Sequence, residues 1–137
     1  MSDPSDALSV AAAGLRAQSA RMRIIAENLA NAESTAQTPG GDPYRRQIPV
    51  FEAELDRATG LETVRMSRVN QDMSDFRIEH EPGHPAADAD GYVLYPNVNS
   101  LIEMMDMREA QRSYEANLNM VESSRRMMER ALDLLRR

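Results

Sequence analysis

The chain has 137 residues, a formal charge of -6 from 22 acidic and 16 basic side chains, 42% apolar content and only 4% aromatic content. That length suits one domain, and the acidic balance argues against a general binder of nucleic acid or of anionic membranes. With no Cys, disulfides, thiolate metal sites and cysteine nucleophiles are excluded, and the protein suits either redox compartment.

All sixteen basic residues are Arg, and 10 residues are Met. Met either fills irregular core gaps or pads surfaces that must fit several neighbours, and composition leaves both readings open. The N-terminus Met1-Ser2-Asp3-Pro4 lacks a basic stretch followed by an apolar run, so no cleaved secretory signal is expected. No apolar run is long enough to span a membrane.

The first predicted element is an amphipathic helix from Pro4 to Ala32. Asp3 suits its cap, and Pro4 suits the first helical position, where the missing N–H costs nothing. Leu8, Leu15, Met22 and Leu29 recur every seven residues, with Ala11, Ile25 and Ala32 three positions after members of that set. That pattern is a heptad seam, interrupted by Gln18. Gly14 weakens the helix locally and permits close approach of a neighbour.

The middle, residues 33–98, is different in kind. It holds every Pro except Pro4, and strand-like runs fall at Tyr44–Phe51, Thr63–Val69, Phe76–Ile78 and Tyr92–Tyr95. Thr38-Pro39-Gly40-Gly41-Asp42-Pro43 and Glu81-Pro82-Gly83-His84-Pro85 read as loops.

A second helix is predicted from Asn99 to Arg136, with Ser100 and Glu103 at capping-box spacing. Its seam runs Met104, Met107, Tyr114, Leu118, Val121, Met128, Leu132 and Leu135, beside the small residues Ala110, Asn117, Ser124 and Ala131. At 1.5 Å per residue the two helices measure roughly 45 and 55 Å, too long for a globule with a radius of gyration near about 14 Å. The expected fold is therefore mainly α: long terminal helices forming a coiled-coil hairpin around a small, irregular β-rich insertion, divided at 1–32, 33–98 and 99–137. Leu101, Ile102, Met105, Met127 and Leu134 widen the second stripe beyond what the first helix covers. Two solutions bury them, further partner chains or a homodimeric four-helix bundle.

Catalytic and metal chemistry find little support. Aligning Asp88-Ala89-Asp90-Gly91 with a calcium loop puts Ala86 and Asn97 where the first ligand and the bidentate Glu belong. His80 and His84 cannot share a helix face across Pro82 and Gly83, and no third His or Cys completes a zinc set. No Gly-x-Ser-x-Gly elbow and no phosphate loop with its Lys are present. No catalytic residue, metal site, cofactor or small-molecule substrate is expected.

The end of the first helix, Ala26-Glu27-Asn28-Leu29-Ala30-Asn31-Ala32-Glu33-Ser34-Thr35, resembles the signature of the flagellar rod and hook family. Leu15-Arg16-Ala17-Gln18 and Tyr44-Arg45-Arg46-Gln47 continue the likeness. So do His84 to Val93, Tyr95-Pro96-Asn97-Val98-Asn99, Glu103-Met104-Met105-Asp106-Met107 and Arg112-Ser113-Tyr114-Glu115-Ala116-Asn117. The short length is similar to that of proximal-rod members.

The resemblance implies a structural subunit, not an enzyme, whose paired terminal helices stack into the rod that transmits motor torque. It implies other rod proteins, a membrane-embedded basal-body ring and the flagellar export apparatus as partners, and no nucleic acid. It implies synthesis in the cytoplasm, export without a cleaved signal and a final place in the rod within the periplasmic space. It also implies that Leu8, Leu15, Met22, Ile25 and Leu29 pack on Tyr114, Leu118, Val121, Met128 and Leu132 or on equivalent residues of neighbours. Asn28 and Asn31 would satisfy polar groups where the helix ends or simply cap it, and Pro96 with Asn97 would turn the chain into the second helix. The competing reading is a cytoplasmic helical-bundle adaptor or export chaperone.

Overall fold

Asp3 starts the first helix: its side chain accepts from the Ser5 N–H at 3.3 Å, and its carbonyl accepts from Ala7 at 3.1 Å. Helix α1 then runs Pro4–Ala30. Strands β1 (Gln47–Asp56) and β2 (Leu61–Gln71) form one sheet, and β3 (Arg77–His80) and β4 (Tyr92–Tyr95) form another. Helix α2 closes the order at Ser100–Leu135. The structure is a computed structural model and describes residues 3–136; Met1 and Ser2, which open the segment searched for a secretory signal, and Arg137 lie outside the described residues.

The coiled-coil hairpin around an irregular insertion is not the architecture. Two helices share the chain with two antiparallel sheets, so the fold is mixed α/β. The insertion is more regular than its sequence suggests, because β1 and β2 are 10 and 11 residues long. Much of that hairpin is exposed on both faces, so selection for apolar alternation, the usual strand signal, is missing. Cross-strand ion pairs span it, Arg65–Glu54 at 2.9 Å and Arg68–Glu52 at 3.8 Å.

The residues group into two compact units. One comprises Met1–Met22, Val50–Arg68 and Arg108–Arg137; the other comprises Arg23–Pro49 and Val69–Met107.

Within the first unit, α1 and α2 meet through small side chains. A Cβ on Gly14 would lie 2.7 Å from Asn117 Oδ1, and Arg21 pairs with Glu109 at 3.5 Å, so the helices run antiparallel. The buried positions are Ala11, Ala13 and Ala17 on α1 and Ala110 and Ser124 on α2. α2 buries Ala110 and Ser124 of its row of small residues, while Leu118, Met128, Leu132 and Leu135 of the expected seam are exposed. Small side chains let backbones approach closely, and larger ones beside them are pushed outward.

Within the second unit, β3 and β4 pair antiparallel from Arg77↔Tyr95 to His80↔Tyr92. Val93 and Tyr95 pack with Ala86 as its apolar core. The connecting loop ends in a turn built by Asp88, whose Oδ1 accepts from Asp90 and Tyr92 N–H groups, both at 2.9 Å. Gly91 sits at φ 85°, and a side chain there would press on Pro82 and His80. Asp88 is thus committed to the turn. Asn99, not Ser100, caps α2: its Oδ1 accepts from Leu101 at 3.1 Å and Ile102 at 3.4 Å.

Candidate functional site

Two features organise the family-motif residues and the helical stripes. The first is a polar junction in the second unit. Asn28 is almost fully buried on α1, and its amide meets the backbone of Gln47 at the start of β1. Its Oδ1 accepts from the Gln47 N–H at 3.0 Å and its Nδ2 donates to the Gln47 carbonyl at 2.9 Å. Tyr44 adds an O–H bond to the same Oδ1 at 2.7 Å. Burial raises the Tyr44 phenol above its ordinary value, and the carboxylates of Glu27 and Glu103 raise it further. Asn31, just past the end of α1, donates to the Glu27 carbonyl at 2.8 Å.

Beside this amide lies an ionic cluster. Arg46 spans three carboxylates: Nε bonds Glu103, Nη1 reaches Asp72 at 3.3 Å and Nη2 approaches Asp106 at 3.9 Å. Glu103 is 1% exposed. A carboxylate so buried requires a partner, and the forked guanidinium supplies it. Backbone and side-chain hydrogen bonds from Ser74 hold the Asp72 carboxyl below its usual range, and Arg46 lowers it further. Asn97 completes the junction: its Oδ1 accepts from the Arg46 N–H, and its Nδ2 donates to the Asp72 carbonyl, both at 2.8 Å. Pro96 is buried beside it, and Val98 is half-buried.

The second feature is the set of exposed apolar side chains on α2 in the first unit. Leu118, Met120, Met127, Met128, Leu132, Leu134 and Leu135 are all exposed, Leu134 by 71% and Leu135 by 82%. Tyr114, Asn117 and Val121 are half-buried, as are Leu8, Leu15 and Met22 on α1. In the second unit Ile25 is buried, Leu29 and Met107 are half-buried, and Ala30 and Met104 are exposed. The stripe residues are therefore not gathered into one internal interface.

Sequence reasoning passed over Arg46 and Asp72. Arg46 stands in the Tyr44-Arg45-Arg46-Gln47 run, where the signal was an Arg doublet with no acidic neighbour. Its hydrogen-bonded partners Asp72 and Glu103 lie 26 and 57 positions away, beyond the reach of local pattern. Among the described residues, no cluster of three or more His, Cys, Asp or Glu is placed to hold a metal ion, and no helix is long and apolar enough to cross a membrane.

Residues 89–134 match the family model for the flagellar basal body rod FlgEFG protein C-terminal region. Flagellar basal-body rod protein FlgC of Agrobacterium fabrum is 51% identical over 135 residues, covering 98% of this chain and 97% of the relative. The FlgC of Salmonella typhimurium is 40% identical, covering 91% of this chain and 92% of its own length. That of Borreliella burgdorferi is 38% identical, covering 93% and 95%. With 51% identity and near-complete coverage in both directions, the chain belongs to the flagellar basal-body rod protein FlgC family.

Proposed function

We propose that this flagellar rod protein is incorporated into the rod by burying the exposed apolar side chains of α2 against other rod subunits. The observation that carries the reading is that run of exposed Leu and Met residues from Leu118 to Leu135. Each large apolar side chain left in water forgoes roughly 1.5–3 kcal/mol that a neighbour would recover. Met at several of these positions suits a surface that meets more than one kind of neighbour. Leu8, Leu15, Met22, Ile25, Leu29, Met104, Met107, Tyr114 and Val121 complete the helical stripes in this reading.

The polar junction has a supporting role. Asn28, Arg46, Asn97 and Glu103 hold the end of α1, the start of β1 and the start of α2 in one arrangement within the second unit. The finer partners are the membrane-embedded ring beneath the rod, other rod proteins beside and above it, and the flagellar export apparatus that delivers the subunit. The place of work is the proximal rod in the periplasmic space, reached through that apparatus.

The test places a tagged chain in its own host and recovers basal bodies. Wild type is expected in the rod fraction. Leu118→Asp is expected to be made at normal levels yet absent from basal bodies, with swimming lost. Normal swimming and incorporation by Leu118→Asp would overturn the reading.

A further inference from the structure

Beside the polar junction lies a cavity of about 190 Å³, lined by Arg46, Asp72, Asn97, Asn99, Ile102 and Glu103, all within the second unit. Glu103 is almost fully buried; Arg46 Nε bonds its Oε1, but its Oε2 is buried without a hydrogen-bond partner. A carboxylate oxygen in that state calls for a donor. Arg46 has no further nitrogen to give, because Nη1 and Nη2 are directed to Asp72 and Asp106. Arg45 is engaged elsewhere: it donates to the Asp72 and Ser74 carbonyls at 2.9 and 3.1 Å and lies over the Phe76 ring at 4.1 Å. One guanidinium is thus shared among three carboxylates, which leaves an excess of negative charge around the cavity. Ile102, which lines it, is exposed, as is Met105 one turn farther along α2.

We propose that this cavity receives a second guanidinium, that of an arginine on a neighbouring rod subunit, with Glu103 Oε2 as its principal acceptor. The inference rests on the rod-subunit reading and names a contact made by the second unit. Among the described residues, no three His, Cys, Asp or Glu side chains are placed to hold a metal ion, so the missing donor is an N–H group. A guanidinium suits the lining better than an ammonium, because its planar fork can serve Glu103 and Asp72 together. The exposed Ile102 and Met105 favour an arginine carried on an apolar surface over a free cation, which would leave both side chains in water.

The full-length chain is titrated with N-acetyl-leucyl-arginine amide, or with the citrulline counterpart, which has the same shape and no charge. The side-chain amide signals of Asn97 and Asn99 are followed by NMR. The arginine probe is expected to shift both signals saturably and to bind about tenfold or more tightly than the citrulline probe, the difference of one charge-assisted hydrogen bond. Glu103→Gln keeps an oxygen for Arg46 but offers the guest an N–H, and should erase that preference. Ile102→Arg places the chain's own guanidinium at the cavity; it should melt like wild type, ignore the probe and be missing from basal bodies. Asn70→Arg puts the same charge at an exposed position outside the cavity lining and should be incorporated. Equal response to the two probes, or no response, would overturn the proposal. Normal incorporation of Ile102→Arg with probe binding lost would assign the cavity to a free cation and equally overturn it. Leu118→Asp should still bind the arginine probe while failing to enter the rod, so the two readings fail separately.

Discussion

Asn28 and Gln47 are joined in both directions, the side-chain amide of one pairing with the backbone N–H and carbonyl of the other at 3.0 and 2.9 Å. An amide side chain here does what a neighbouring strand would do, supplying a donor and an acceptor to the first residue of β1. Asn28→Ala leaves both backbone groups and the Tyr44 hydroxyl without partners, an expected loss of about 2–3 kcal/mol. Asn28→Asp should cost as much, since a carboxylate accepts from Gln47 but faces its carbonyl without a proton to give. Urea unfolding followed by tyrosine signals checks both. A loss below about half a kcal/mol, the scatter of neutral surface changes, would refute the assignment.

The buried carboxylate of Glu103 predicts an asymmetry. Arg46→Met removes its bonded cation and should cost about 3 kcal/mol or more. Arg46→Met combined with Glu103→Leu removes the stranded charge as well and should cost clearly less than the single change. The coupling in this double-mutant cycle is the measurement. Simple additivity of the two substitutions would contradict the ion-pair account.

Two titrations follow from the junction, with opposite signs. The Asp72 carboxyl is held below its ordinary 3.8 by Ser74 hydrogen bonds and Arg46. Its contribution is complete above that value and disappears as pH falls through the lower folded value. Asp72→Asn should therefore flatten the acid limb of the stability curve while leaving the neutral region lower but level. The Tyr44 phenol is raised above 10.0 by burial, with Glu27 and Glu103 adding to the shift. Its contribution is complete below that value and is lost as pH rises through the higher folded value. Tyrosinate absorbance should show a late component that Tyr44→Phe removes.

Gly14 and Asn117 predict a packing result. Gly14→Ala gains about 1 kcal/mol of helix propensity, but its methyl would overlap the Asn117 amide, which also donates to the Ser113 carbonyl at 2.9 Å. The expected net is a loss of about 1 kcal/mol, from overpacking costs of about 1–3 kcal/mol. Adding Asn117→Ala should remove that loss. Melting followed by helical circular dichroism reports it, and an unrescued double variant would argue that the helices meet elsewhere.

The elements were legible in proportion to how local their causes are. Asp3 and Pro4 mark the start of α1, and Asn31 its end, from chemistry within a few residues, so both helices fall within two residues of their sequence-based limits. Four strands were found near their runs, but β1 and β2 extend beyond them because an exposed hairpin carries no alternating apolar code. The inward face of α2 was legible in part, since the small row of Ala110, Asn117, Ser124 and Ala131 suits a close partner helix. Hydrophobic size marked Leu118 and Met128, whereas the close approach at Gly14 and Asn117 selects the small row of Ala110 and Ser124. The cap was misassigned to Ser100 with Glu103 for a related reason: Glu103 has a distant partner in Arg46, and sequence spacing cannot register it. The importance of Asn28 was visible in the motif, but its role on Gln47 depends on folding.

A pair of helices joined through glycine, alanine and serine is thinner than one joined through leucines. In any array wound about a common axis, the girth of each spoke sets how many fit around the circumference. The close meeting at Gly14 therefore sets the thickness of the pair, and bulk added there would shift every surface carried on its far side.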